Sequence, residues 1–217
     1  MFPGVQLYEG YGSTEAGIVT VLKPEEQLHK LGSIGRESIG TDFVKLLDEN
    51  GEEVDVGEVG EIFSRGPMLF SGYFKDPERT ARSFRGEWFS AGDMGRRDED
   101  GYYYIVDRKD NMIITGGEHV YPSEVEEVVC QHPAVMDAAI IGVPHEKWGE
   151  AVLAVVILKP GAKAAEREIM EHCRGRMAAY KKPKAVEFID AEEMPRTGTG
   201  KILHRKLRER YEGFFGE

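Results

Sequence analysis

Two apolar runs constrain this chain more than anything else in it. "AVMDAAIIGV" covers residues 134–143 and "AVLAVVILKP" covers 151–160. Both fall well short of the ~20 apolar residues that cross a bilayer, and both are too continuously apolar for a strand with one wet face. They read as buried strands. The segments around them have a helical period. In "YPSEVEEVVCQHP", Ser123 and Glu126 have capping-box spacing. "AAEREIMEHCRGRMAAY" places Ile169, Cys173 and Met177 on one face of a helix. "AVEFID" reads as a strand, and "KILHRKLRERY" as a helix with Leu203, Leu207 and Tyr211 on one stripe. From Asp107 onward the expected order is helix, strand, strand, helix, strand, helix.

The first half has a different texture. "TDFVKLLDENGEEVDV" has two short strand-like runs around a polar turn at Glu49 to Gly51. "GEVGEIFSRG" is a short strand bounded by glycines. "AGDMGRRDEDGYYYIVDR" is a hairpin turning at Asp100 and Gly101, with aromatic and β-branched residues on the return. One helix interrupts: in "KDPERTARSF" Asp76 can cap and Pro77 takes the favoured first position. The texture changes at the charged stretch "VDRKDN", which is short enough to act as a hinge. The 217 residues are enough for two small domains, each with a core.

Composition excludes some classes. A formal net charge of -11 argues against nucleic acid or an anionic membrane as the main partner. No apolar run is long enough for a membrane span, and "MFPGVQLYEG" lacks the basic start and apolar core of a leader. Cys130 and Cys173 have no metal-ligand spacing, which fits a reducing cytoplasm.

Several polar stretches have chemical potential. In "MPRTGTGK", residues 194–201, glycines let the backbone bend, threonines supply hydroxyls and Lys201 carries a point charge on a long stem. The alternative is a turn before a helix; P-loop spacing is not met, since Ile202 follows Lys201. In "YEGYGSTEAG", Tyr11 offers a ring to stack, Ser13 and Thr14 offer hydroxyls, and Glu15 a carboxylate for Mg²⁺, unless the segment is a polar turn. Asp93 in "WFSAGDMG" can accept from both hydroxyls of a ribose, or be a solvated turn aspartate. Arg108 is a candidate donor or a surface arginine. Gly116 and Gly117 form either a ligand passage or a turn. Lys181, Lys182 and Lys184 are phosphate partners or a solvated run.

Taken in order, "YGSTEAG", "GEVGEIFSRGPMLFSGYF", "WFSAGD", "DRKDNMIITGGEHVYPSEVE" and "PRTGTGK" resemble the successive signature motifs of the adenylate-forming superfamily. That superfamily includes acyl-CoA synthetases, luciferases and the adenylation domains of peptide synthetases. "GGEHVYPSEVEEVV" followed by "IIGVPHEKWGEAV" looks most like fatty-acid and aryl-acid CoA ligases. The resemblance implies an α+β fold in two parts. Residues 1–107 are expected to be the end of the large AMP-binding domain, mostly its β-barrel subdomain. Residues 108–217 are expected to be a small, mobile α+β C-terminal lid.

The resemblance also implies roles. Tyr11 and Gly12 lie by the adenine, Thr14 contacts phosphate and Glu15 holds Mg²⁺. Asp93 binds the ribose hydroxyls with Arg108 nearby. Asp110 is the hinge, Gly117 lines the path of the CoA thiol, and Lys201 bridges the carboxylate substrate and the α-phosphate of ATP. Glycine flexibility would let Lys201 leave when the lid turns. Family members also carry, upstream, a Ser/Thr/Gly-rich loop ending in lysine and most of the acyl pocket, so this chain is expected to need a separate N-terminal domain or to self-associate. "SAGD" stands where Thr-Gly-Asp is usual, so Ala91 lacks a hydroxyl. A different reading stays open: a non-catalytic module that binds nucleotide, CoA or a partner protein.

Overall fold

The computed structural model describes residues 4–38 and 43–216. Thr41 and Asp42, at the head of one expected strand run, lie outside the described residues, as do Met1 to Pro3 of the N-terminal stretch. The chain divides into two compact units, Met1–Lys109 and Asp110–Glu217.

The first unit has two antiparallel sheets. β1 (Glu9–Ser13), β2 (Gly17–Leu22) and β3 (Arg36–Glu37) form the smaller, in that order. The larger contains β4 (Phe43–Leu47), β5 (Val59–Arg65), β6 (Phe84–Arg85), β7 (Trp88–Phe89), β8 (Asp93–Arg97) and β9 (Tyr103–Arg108). Its strand order is β6-β7-β5-β8-β9, with β4 also on β5. No pairing joins β6 to β9, so among the described residues this sheet is open and does not close into a barrel. A buried cluster that includes Val19, Val44, Leu46, Ile62, Phe89 and Tyr103 forms the core.

Local chemistry explains several of these elements. α1 (Pro77–Ser83) starts where expected: the Asp76 side chain accepts from the Arg79 N–H, and Pro77 follows the cap. The β8–β9 turn is held by Asp98, whose Oδ1 accepts from the N–H groups of Asp100 and Tyr102 at 3.0 and 2.9 Å. The expected hairpin around Glu49 to Gly51 is different. The turn is present, but the return run makes only a bridge between Leu47 and Glu53, and β4 pairs along its length with β5. Five acidic side chains between Glu49 and Glu58 leave that run little apolar surface to bury.

The second unit is built on one five-stranded sheet. β10 (Ile113–Thr115) and β11 (Glu118–Val120) form a hairpin around Gly116 and Gly117, in a stretch whose strands the sequence pattern does not reveal. α2 (Pro122–Cys130) follows, then β12 (Val135–His145) and β13 (Gly149–Leu158). α3 (Glu166–His172), β14 (Ala185–Phe188) and α4 (His204–Tyr211) complete it. β12 pairs antiparallel with β13 over nearly their whole length, and β14 joins β13 in parallel.

The uniform apolarity of the two long strands now has its reason, because both faces are covered. Ile140, Val152, Ala154 and Val156 pack with Val125, Val129 and Ile169 on one face. Ala139, Ile141, Leu153 and Val155 pack with Met194 and Leu207 on the other.

Two helix starts and one helix end differ from the sequence expectation. Tyr121, not Ser123, occupies the N-cap of α2, because Pro122 takes the first helical position. Glu126 is thereby free for other work. α3 stops at His172 because Gly175, at φ +74°, turns the chain; Met177 still packs on the core from beyond the helix. α4 begins at His204, so Lys201 stands outside it.

Candidate functional site

In the first unit three of the sequence-selected side chains meet. Asp93 opens β8 and sits opposite Arg108, the last residue of β9. The Arg108 Nη1 donates to Asp93 Oδ1 at 2.9 Å, and Tyr11, on β1, donates its phenolic O–H to Asp93 Oδ2 at 2.7 Å. The Asp93 side chain is 15% exposed and that of Arg108 52%. Burial pushes the Tyr11 hydroxyl far above its ordinary pKa, and the charge and hydrogen bond of Asp93 add to this against the opposing charge of Arg108. The phenol therefore stays a donor at any physiological pH. An ionised carboxylate has about four lone-pair sites, so Asp93 can still accept from two hydroxyls of a ligand.

Gly12 follows Tyr11 at a β-bulge, where the register of β1 against β2 shifts. A Cβ there would lie 1.9 Å from the Gly17 carbonyl oxygen, so close backbone packing alone requires glycine. Thr14 is exposed on the β1–β2 turn. Glu15, next to it, accepts from the Tyr73 O–H at 3.0 Å. Burial raises the Glu15 pKa, but hydrogen bonds from its own backbone, Tyr73 and Ser13 and the charge of Arg79 outweigh this and hold it below the ordinary value. Tyr73 is a site residue the sequence reading missed; nothing in "SGYFKDPE" marks it, because its link to Glu15 spans 58 positions. Among the described residues no group of three His, Cys, Asp or Glu side chains could hold a metal by itself.

In the second unit Asp110 is exposed on a short 3-10 turn, Lys109–Asn111, at the head of the unit. Gly116 and Gly117 make the β10–β11 turn. Gly117 has φ +87° with open space where a side chain would stand. Gly116 donates its N–H to the Trp148 carbonyl at 2.9 Å, and the Trp148 ring lies against it. Lys147 and Lys184 place their ammonium groups 4.6 and 5.4 Å from the Trp148 ring centre. Trp148 is 36% exposed, an aromatic face between two cations, and nothing in its local sequence marks it as such. Lys181 is engaged differently, in an ion pair with Glu124. The expected basic cluster is thus split.

The Lys201 loop is more ordered than two glycines and two threonines suggest. Thr197 donates its N–H to the Lys201 carbonyl at 2.8 Å, and the Lys201 N–H returns to Thr197 Oγ1 at 3.1 Å. Arg196 and Ile202 form a bridge at its base. The Lys201 side chain is exposed. Glycine freedom is used here to close a tight hairpin, and the threonine hydroxyl satisfies backbone that a flexible loop would give to water.

Comparison with known proteins addresses the family. Residues 1–74 match the AMP-binding enzyme family, and residues 124–201 match the AMP-binding enzyme C-terminal domain. A 2-succinylbenzoate–CoA ligase of Geobacillus kaustophilus is 43% identical over 94% of this chain and 41% of its own length. A long-chain-fatty-acid–CoA ligase of Yersinia pestis is 44% identical over 95% of this chain and 36% of its own. The crystal structure of ATP-bound MatB from Rhodopseudomonas palustris superposes with a TM-score of 0.89 at 36% identity, covering 96% of this chain and 41% of that one. The chain thus spans about two fifths of the length of the relatives it matches. On these matches it belongs to the AMP-binding, adenylate-forming enzymes, among relatives that are acid–CoA ligases.

Proposed function

We propose that this chain serves an AMP-forming acid–CoA ligase, contributing the nucleoside-binding end of the large domain and the C-terminal lid. The observation that carries the proposal is the Tyr11–Asp93–Arg108 cluster, in which two cationic or phenolic donors orient one carboxylate at the end of β8. In the reaction a carboxylate attacks the α-phosphate of ATP, giving acyl-AMP and pyrophosphate. The CoA thiol then displaces AMP, giving the thioester.

Asp93 accepts the two ribose hydroxyls, with Arg108 beside it, and Tyr11 and Gly12 border the adenine. Thr14 donates to a phosphate oxygen. Glu15, kept ionised, is the hard oxygen ligand a magnesium ion takes alongside phosphates and water. That ion supplies charge neutralisation on the phosphates when present. Lys201 offsets the repulsion between the attacking carboxylate and the α-phosphate. Asp110 is the hinge residue, and Gly117 leaves room for the pantetheine arm. Trp148, between Lys147 and Lys184, suits the nucleotide end of CoA, since a ring can stack and two ammonium groups can meet phosphate. No helix among the described residues is long and apolar enough to cross a membrane. We place the protein in the cytoplasm, in fatty-acid or aryl-acid activation.

Titration calorimetry with AMP tests the carrying observation. Asp93→Ala is expected to weaken AMP binding by ~1.5–3 kcal/mol, the usual cost of a lost hydrogen bond to a charged group. Wild type and variant binding AMP with equal, measurable affinity would remove Asp93 from the site.

The domain roles make a second expectation. Trypsin is expected to cut after Arg108 or Lys109, both exposed, and to leave a stable piece beginning near Asp110. Resistance there, with cleavage inside both units, would contradict a hinge at Asp110. Calorimetry with CoA also separates the ligase reading from a binding module: a module binds CoA or nucleotide but gains no activity when the upstream polypeptide is supplied.

A further inference from the structure

We propose that Arg196 and His204, anchored by Asp137 and Glu126, are positioning residues that fix where the Lys201 loop stands on the second unit. The inference rests on the reading of Lys201 as the adenylating lysine. The hydrogen bonds inside the loop set its shape but not its place. A lysine has a long, rotamer-rich stem, and displacing a reacting group by about 1 Å can cost a hundredfold in rate.

Two ties, one on each side of the loop, set the place. On the entry side Arg196 uses both ends of its guanidinium: Nη1 donates to the Gly200 carbonyl at 2.9 Å, and Nη2 pairs with the Asp137 carboxylate. On the exit side the His204 Nε2 donates to Glu126 Oε1 at 2.7 Å, since an ionised carboxylate only accepts. The same oxygen of Glu126 accepts the Ile140 N–H at 2.9 Å. Both ties therefore end on β12, the strand between the two cores.

Two oddities of the sequence then acquire a reason. Asp137 is a charge inside an apolar strand run, where neither core needs it. It sits where the register of β12 against β13 shifts, and such a bulge re-aims a side chain. Its contacts are Arg196 and the N–H of its neighbour Ala138. Glu126 has capping-box spacing from Ser123 but reaches His204, 78 positions away. The His204 and Glu126 side chains are 13% and 22% exposed, so the exit tie is shielded from competing water.

Hydrogen–deuterium exchange of the whole chain tests the ties without any assumption about activity. Asp137→Asn and His204→Ala are each expected to speed exchange at the Gly200, Lys201 and Leu203 amides about tenfold, with the melting temperature moved by no more than about 2 °C. Asp137→Glu is expected to restore protection, and Arg196→Lys to fail, because an ammonium cannot span both acceptors. With the upstream polypeptide supplied, pyrophosphate exchange in Asp137→Asn is expected to fall about tenfold in kcat with unchanged KM for ATP, while thioester formation from added acyl-AMP persists. Unchanged amide exchange in both variants overturns the ties. Faster amide exchange with full pyrophosphate exchange in Asp137→Asn overturns the positioning role. Full activity in Lys201→Ala instead overturns the underlying reading of Lys201, whatever the loop amides do.

Discussion

Replacing Lys201 by alanine, in this chain supplied with the upstream polypeptide, is expected to lower acyl-adenylate formation a hundred- to a thousandfold, on the order of an oxyanion-stabilising group lost from a closed site. Thioester formation from pre-made acyl-AMP is expected to survive. The reason is electrostatic. Adenylation brings a carboxylate and a phosphate together, two anions whose repulsion rises toward the transition state, and a cation delivered there acts where charge develops. The second half-reaction has no such encounter, because the acyl group is already activated and the thiol attacks a neutral carbonyl. The loop is suited to delivery: Lys201 is exposed on the return arm of a hairpin that it closes with Thr197. Separate assays of pyrophosphate exchange and of thioester formation check this. An equal fall in both would make the lysine structural or shared.

The chain by itself is expected to give no measurable pyrophosphate exchange with any acid of a broad panel. Phosphoryl chemistry depends on positioning and charge stabilisation, and both the leaving pyrophosphate and the acid have to be held in line. In the proposed roles Glu15 serves the metal and Lys201 the α-phosphate, but no second glycine-rich loop ending in lysine occurs in these 217 residues. The surface of the first unit agrees with this. Val5, Leu7, Tyr8, Leu28 and Leu31 are between 58% and 83% exposed, and a groove of about 500 Å³ is lined by Tyr8, Ile18, Val21 and Met68 among others. Such a face favours self-association or an added polypeptide. Activity that returns with the upstream portion supports a split or shortened ligase. Robust exchange by the chain alone would show that its own residues suffice to grip the triphosphate.

Much of this protein was legible locally. The buried strands within 134–143 and 151–160, the Asp76 cap, the turn at Asp100 and Gly101 and the amphipathic stripe of α4 follow from spacing within a dozen residues, and there the sequence by itself determines the outcome. The order of short motifs also pointed to the family, through its resemblance to that family's successive signatures, although each motif alone reads equally well as a turn.

Tertiary structure decided what depends on distant pairings. Only the packed first unit brings Tyr11 to Asp93 across 82 positions and Tyr73 to Glu15 across 58. Only the second unit turns Glu126 from an apparent helix cap into the partner of His204 and places Asp137 under Arg196. The physical reason is that a side chain's spacing records its face on its own helix or strand, whereas its partner is set by the register and stacking of elements the chain reaches much later. Glycine carries the least local information of all. Gly12 is required by a carbonyl 1.9 Å from where its Cβ would be, and the glycines near Lys201, which read as freedom, serve instead to close a hairpin.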